Sequence, residues 1–409
     1  MPPFPVSLTV PTDRSRRLTT LWLVTVLHAF THIYTIALVP LYLAIRRDLQ
    51  LTADWQATLL VTVQSLVYCG ASLPLGILAD KLSRKWLLAA GLFLNAVAFA
   101  ALAFAPGYHW TVVAVALAGL FGSFYHPPAT ALIVSLFPDR PGWALGRAGI
   151  GAALGFFIGP LFAGWRAETA GWRQPCLELG MAGVVVAVIF AIFAQEPPDA
   201  PHRLERSEVH RTRRQWRLLL GVALVAVAFG FRDFAAAGMV TFSSLFLQRA
   251  HGFGANTTGL YLGLWSLIGV LSNPLVGSMS DKRRAPAIIA ILACAAVSAT
   301  FVPWLPRGWV WLGLIVYGFF MLASFPVVEA ALMEGVPDAL RGRTFGMFIT
   351  SAGVIASLAH WAMGRAADSL QPLAATPHAY AGWFALLGAL MVMGLSGIPA
   401  LRCLRRRLP

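Results

Sequence analysis

Apolar residues run through this chain in long blocks, separated by short clusters of arginine, lysine, aspartate and proline. No formal charge occurs from Leu18 to Ile45, from Trp55 to Ala79, or from Trp86 to Pro138. The same holds for Ala250 to Ser280, Ala285 to Pro306, Gly308 to Val328, Thr344 to Gly364 and Ser369 to Leu401. A helix needs about 20 apolar residues to cross a bilayer. The block from Trp86 to Pro138 is long enough for two crossings, and Pro106-Gly107-Tyr108-His109 marks a tight turn inside it. The pattern predicts twelve spans, over 18–45, 54–78, 86–105, 110–137, 143–165, 174–195, 217–248, 256–279, 285–305, 309–335, 343–365 and 378–401. A β-barrel would read instead as short segments of alternating polarity, and nothing here alternates on that period. The fold class expected is therefore an all-α membrane protein. The first apolar stretch is too long for a cleavable signal peptide and lacks a small-residue cleavage site.

Composition agrees with that reading and charge adds an orientation. Of the 409 residues, 58% are hydrophobic and 12% charged, against about 25% charged in an average soluble protein. The net charge of +14 would suit nucleic acid only if a soluble domain carried a basic patch. No such domain is visible, so no nucleic-acid partner is expected. Placing both termini in the cytoplasm puts 23 of the 31 basic residues on that side, seven on the other, and leaves Arg232 inside a span. This is the asymmetry of the positive-inside rule. The excess positive charge then meets anionic lipid headgroups. The expected location is a bacterial inner membrane, with the chain crossing it many times as a monomer. The four cysteines, Cys69, Cys176, Cys294 and Cys403, form no Cys-x-x-Cys pair, so neither a disulfide framework nor a thiolate metal site is expected.

The second half of the chain repeats the first. Gly76-Ile77-Leu78-Ala79-Asp80-Lys81 matches Gly277-Ser278-Met279-Ser280-Asp281-Lys282. Gly119, His126-Pro127 and Pro138-Asp139 match Gly318, Phe325-Pro326 and Pro337-Asp338 at one constant offset of 199. Gly146 and Gly164 match Gly346 and Gly364, and Pro40-Leu41-Tyr42-Leu43 aligns more loosely with Ser244-Leu245-Phe246-Leu247. The polar, proline- and arginine-rich stretch at the midpoint reads as a linker. The organisation expected is a six-helix bundle over 1–195, a cytoplasmic linker over 196–216 and a second bundle over 217–409. Duplicated halves are a signature of secondary transporters, whose substrate site lies near the midplane between the repeats.

These features resemble the major facilitator superfamily. The loop Gly76-Ile-Leu-Ala-Asp80-Lys81-Leu-Ser83-Arg84-Lys85 is similar to that family's signature loop, departing at Ser83 where glycine is usual. Gly146, Gly155, Gly159-Pro160 and Ala163-Gly164 in span five are similar to the motif of its proton-driven exporters, with Ala163 in place of a usual glycine. Gly122-Ser-Phe-Tyr125-His126-Pro127-Pro128-Ala129-Thr130, with Arg232 ahead of Thr241-Phe242, resembles the fosmidomycin-resistance branch. The resemblance implies two pseudo-symmetric six-helix bundles working by alternating access, with a latch on the cytoplasmic side. Asp80 sits at a helix end, where it can pair with Arg84 or face the positive end of a neighbouring helix, and Asp281 repeats it. Small residues in span five let helix backbones approach closely. The reading expects Gly155, Gly159 and Pro160 to pack between halves as a hinge and seal.

Ionisable groups inside the membrane are costly and are functional candidates by default. Arg232 and Asp233 lie halfway along span seven, and consecutive helical residues point about 100° apart. The expectation is that Arg232 faces the cavity and holds a substrate carboxylate, phosphonate or phosphate by paired hydrogen bonds, while Asp233 turns toward a polar partner. A structural Arg–Asp pair is the alternative. His28 and His32 share one face of span one, and the loose alignment sets His28 opposite Arg232. Such a pair can hold a transition metal, but no Asp, Glu or Cys nearby on that helix completes a site, and no metal or other cofactor is expected. His126 either satisfies carbonyls freed by Pro127-Pro128 or titrates as a switch. Asp233, His126 and Glu329 are the candidate proton carriers. Tyr125, Tyr261, Trp265 and Tyr317 are candidate cavity aromatics. No Walker loop or catalytic constellation is present, so an enzyme is not expected. The function expected is proton-coupled export of a small anionic or amphiphilic compound. The alternatives are an importer or exchanger of an organic acid or phosphate ester and, further off, a transition-metal exporter built on His28 and His32.

Overall fold

The computed structural model describes residues 14–79, 82–197, 213–334, 336 and 338–407. Asp80 and most of the expected linker lie outside them. The described chain is helical throughout, with no strand among the described residues. Eleven segments are long and apolar enough to cross a membrane, and a twelfth helix, the 26-residue Asp54–Ala79, is uncharged after its first residue. We number the crossings α1 (Arg14–Asp48), α2 (Asp54–Ala79), α3 (Arg84–Phe104), α4 (Tyr108–Leu136), α5 (Pro141–Ala170) and α6 (Arg173–Phe193). The second set is α7 (Arg213–Arg249), α8 (Ala255–Ser280), α9 (Arg284–Trp304), α10 (Val310–Met333), α11 (Asp338–Asp368) and α12 (Pro377–Leu404).

Local sequence explains where these rods begin, end and break. Helix α5 opens on Pro141, whose missing N–H is no loss in a first turn, and stops at Gly171, which adopts φ 78°. Glu196 caps the start of α3: its carboxylate accepts from the Arg84 and Lys85 backbone N–H groups and from the Ser83 hydroxyl. Helix α4 is interrupted after Gly122 and restarts at His126, with Pro127 in its first turn. The double proline therefore breaks the helix rather than kinking it, and His126 heads the new segment. Helix α1 is likewise broken by a short tight turn over Val39–Leu41.

Packing follows the sequence repeat. In the first half α1 lies on α5, α2 on α4, and α3 on α4 and α6; in the second, α7 lies on α11, α8 on α10, and α9 on α10 and α12. The halves meet through two symmetry-related pairs, α2 with α11 and α5 with α8. Outward faces of α3, α6 and α9 stay apolar and exposed, as lipid requires: Phe93 and Val97, Met181 and Ile192, Val297 and Phe301. Trp110, Trp165, Trp304 and Trp309 are exposed near the helix ends opposite the termini, an aromatic belt.

One hydrophobic core runs through both halves, from Leu21 and Tyr42 to Phe242 and Tyr380. A second, smaller core belongs to the second half alone, around Val222, Phe229, Leu332 and Leu404, and lies toward the termini. The halves thus share a core at the face opposite the termini and separate at the terminal face. Glycines agree. Gly164, Gly259 and Gly364, toward the face opposite the termini, each abut backbone of the other half.

Candidate functional site

Two polar clusters stand inside the bundles at repeat-related positions. In the first half, His28 and His32 lie one turn apart on α1, close behind α5. That approach depends on glycine: a side chain on Gly151 would meet the Thr25 carbonyl and come within 2.9 Å of the His28 Cβ, and one on Gly155 would come within 2.9 Å of the His32 Cβ. Gly155 and Gly159 therefore pack α5 against α1 within one half. This corrects the expectation that they seal between halves, a task that falls to Pro160, whose carbonyl abuts Gly259, and to Gly164 against Ala255. The physical reason is helix register: Gly151, Gly155 and Gly159 share the face of α5 turned to α1, whereas Phe157, Pro160 and Gly164 share the face turned to α8.

With both rings neutral, the hydrogen bonds set the tautomers of the histidine pair. His28 Nδ1 donates to the Ala148 carbonyl at 2.8 Å, so its Nε2 carries the lone pair. His32 Nε2 stands 3.1 Å from that atom and donates to it. Its own Nδ1 is buried without a partner. His126 brings a third ring, 5.3 Å from His28 and 5.8 Å from His32 between centroids, and this ring is accessible. Tyr125 stacks on His28 at 4.6 Å and donates its hydroxyl to the Val24 carbonyl at 3.2 Å.

In the second half, Arg232 is 1% exposed. Its Nε and Nη2 donate to Asp233 Oδ1 at 2.9 and 2.6 Å, and Nη1 reaches the Ser324 carbonyl at 3.2 Å. The Phe325 ring covers the guanidinium at 4.6 Å. The expected divergence of Arg232 and Asp233 is overridden: the flexible arginine stem folds back on its chain neighbour, because an unpaired charge here would cost far more than the bend. Arg232 as placed is enclosed. Glu329, half-buried on α10, lies within electrostatic reach of both. The pair Arg232–Phe325 is the repeat counterpart of His28–His126, so the loose alignment of α1 with α7 has a geometric basis.

This pair sets a double-mutant expectation. Arg232→Ala leaves Asp233 buried without its partner and should destabilise by about 3–5 kcal/mol, whereas Arg232→Met with Asp233→Leu should recover most of that loss. Thermal melting of the two variants in detergent checks it.

The remaining candidates are scattered. Trp265 and Tyr317 are buried edge-to-face against each other, 5.0 Å apart, so they fill the second bundle rather than line an open cavity. Tyr261 is half-buried against Phe253. Arg84 places one Nη on the Ala131 carbonyl at 3.3 Å; its expected partner Asp80, and the side-chain surroundings of Gly76, fall outside the description. Asp281 pairs with Arg284 at 2.9 Å, and Arg284 also holds Glu334.

Sequence reasoning missed the polar contacts that join the halves at the face opposite the termini. Asp368 accepts from the backbone N–H groups of Asp54 and Trp55 at 2.8 and 3.0 Å, capping α2 from α11. Asp54, 1% exposed, is held by Arg46 at 2.9 Å and Arg249 at 2.6 Å. Glu168 caps α8 through Asn256 N–H at 3.0 Å. Deeper in, Tyr42, Thr241 and His360 form a hydrogen-bond chain with links of 3.0 and 2.6 Å. Counting charge per side treats Arg46 and Arg249 as a minority, when they bracket one carboxylate. The signal available was Asp54 and Asp368 at opposite ends of apolar blocks.

Known proteins supply the remaining context. A family model described as Major Facilitator Superfamily matches residues 21–360. The chain is 28% identical over 304 residues to the multi-drug resistance efflux pump PmrA of Streptococcus pneumoniae serotype 4, covering 69% of this chain and 73% of that protein. It is 25% identical over 356 residues to the multidrug resistance protein MdtG of Citrobacter koseri, covering 82% and 84%. Among solved structures, it superposes on a bacterial homolog of the human lysosomal transporter Spinster, inward-facing and unoccupied, with a TM-score of 0.76 at 17% identity, covering 97% and 98%. A peptide transporter POT in complex with sulfate gives a TM-score of 0.75 at 16% identity, covering 96% of each chain. With its twelve helices, repeated halves and a family match over most of its length, the chain belongs to the Major Facilitator Superfamily, and is a membrane transporter rather than an enzyme.

Proposed function

We propose that the protein exports small amphiphilic organic compounds from the cytoplasm in exchange for protons. The observation that carries this reading is the placement of the seal. The face opposite the termini is closed by Asp54, Asp368, Arg249 and Glu168, while the smaller core toward the termini belongs to the second half alone. The charge bias puts the termini in the cytoplasm, so this state loads from the cytoplasm. The multidrug pumps among its relatives favour the outward direction.

Coupling rests on Glu329. Arg232 and Asp233 neutralise one another, and no ion-pair partner of Glu329 occurs among the described residues. A proton and a positively polarised part of the cargo compete for that carboxylate. Mutual exclusion at one group moves proton and cargo in opposite directions, because a ligand shifts the equilibrium between states only by its differential affinity. His126, accessible at the break in α4, would line the path.

The Arg232–Asp233 pair itself favours a second reading. An anion can take Arg232 only if Asp233 lets go, and Asp233 lets go most readily when it accepts a proton. Anion and proton would then bind together and move together, which describes an importer of an organic acid or phosphate ester. Proteoliposomes loaded with a pH-sensitive dye separate the two. Export by exchange acidifies the compartment the cargo leaves; cotransport makes it more alkaline. Cargo movement indifferent to a collapsed pH gradient would remove proton coupling from both.

A further inference from the structure

Sequence spacing paired His28 with His32 and found no third ligand on the same helix. The fold supplies one from another helix. The break in α4 lets His126 head a new segment and meet the α1 pair. One ligand atom from each of His28, His32 and His126 lies within 4.8 Å of the others.

We propose that these three imidazoles form a binding site for a first-row divalent transition ion of the Zn²⁺ type. Four features carry it. The donors suit the ion, since imidazole nitrogen is a preferred ligand of zinc, copper and nickel. Spacing is the second. Ligand nitrogens about 2.0–2.1 Å from a tetrahedral zinc stand roughly 3.3 Å apart. His28 Nε2 and His32 Nε2 are already 3.1 Å apart, so these two rings need only turn, while His126 closes in. It is the accessible ring of the three.

The third feature is orientation. His28 donates Nδ1–H to the Ala148 carbonyl, which leaves Nε2 unprotonated and fixed, as the supporting contact of a metal-bound histidine does. The fourth is a place for the displaced proton. His32 Nδ1 is buried without a partner and can take up the proton that Nε2 gives up. When an ion replaces the hydrogen between the two Nε2 atoms, that proton moves to Nδ1 and His32 stays neutral. His126 sits at the start of an 11-residue helix, whose positive end opposes a cation. That opposition is small beside coordination by three nitrogens. Three histidines leave a fourth position for water or for a donor atom of the cargo.

The site goes beyond the export reading, because it needs neither proton coupling nor a particular cargo. Its test is made on purified, tag-free full-length protein in detergent. Titration with Zn²⁺ alone, followed by calorimetry, should show one saturable site per chain. Cobalt(II) should give the intense visible bands of a tetrahedral nitrogen site. His126→Gln should weaken Zn²⁺ on the order of tenfold to a hundredfold. His28→Gln with His32→Gln should abolish binding. A melting curve for each variant confirms that it is folded, and zinc should raise the melting temperature of the unaltered chain only. Absence of saturable binding would overturn the proposal, as would binding equal in all variants. Neither outcome bears on export, which is read separately from cargo flux.

Discussion

Asp54→Asn is expected to spring open the face opposite the termini. The Asp54 carboxylate is 1% exposed and bound at 2.9 and 2.6 Å by Arg46 and Arg249, one from each half. Amidation leaves both guanidiniums without their counter-charge. Removing one partner of a buried ion pair costs about 3–5 kcal/mol; the share that belongs to Arg249, which reaches Asp54 from the other half, falls on the closed arrangement alone. Separation of the halves rehydrates the arginines. The ratio of closed to open forms should therefore fall by a factor on the order of 10². Asp368→Asn should act in the same direction more weakly, because an amide oxygen still accepts from Asp54 N–H and Trp55 N–H but loses the charge that favours a helix N-terminus. Spin labels at Gln50 and Gln371, exposed residues on opposite halves of that face, give the readout by pulsed dipolar spectroscopy. The Asp54→Asn distances should lengthen and broaden. Unchanged distances would mean that packing alone, Gly164 on Ala255 and Gly259 on Pro160, holds the face shut.

The helical plan was legible because hydrocarbon is an unforgiving solvent. Each charge-free block had to be a helix, and the repeat at Gly76/Gly277 and His126/Phe325 aligns one half of the chain with the other. What resisted was contact across helices. A periodicity argument places His28 over His32 but says nothing of His126, ninety-four residues on. It treats Arg232 and Asp233 as diverging, since it uses Cα directions and ignores the length of the arginine stem. Asp54 and Asp368 carry no special mark in the sequence for a similar reason. Each stands at the end of an apolar block, where a solvated charge is ordinary, and only the fold reveals that they meet. The motif marks Gly155 as a close-packing residue, yet its partner, α1 rather than the other half, depends on a helix register that sequence alone leaves open.

Glu329→Gln is expected to uncouple cargo from the proton gradient while leaving exchange of cargo for cargo intact. The argument begins with neutrality. Arg232 and Asp233 form a buried pair with both charges accounted for, so the ionisable group left over near them is Glu329, half-buried on the same helix as Ser324, whose carbonyl takes the third arginine contact. Glutamine keeps the size and hydrogen bonds of a protonated glutamate but neither binds nor releases a proton. The carrier would then resemble its proton-loaded form permanently. One proton exchanged per cargo supports about tenfold accumulation per pH unit, because each unit is worth about 1.36 kcal/mol. A two-unit gradient should concentrate a cargo about a hundredfold in liposomes carrying the unaltered protein and leave it level with Glu329→Gln. Counterflow of labelled for unlabelled cargo should persist, since it needs only the rocking of the halves. Asp233→Asn is the control. It strips Arg232 of its counter-charge and should impair folding rather than coupling, visible as a lowered melting temperature. Undiminished accumulation by Glu329→Gln would remove Glu329 from the proton path and leave His126, the accessible ionisable ring at the break in α4, as the next group to replace.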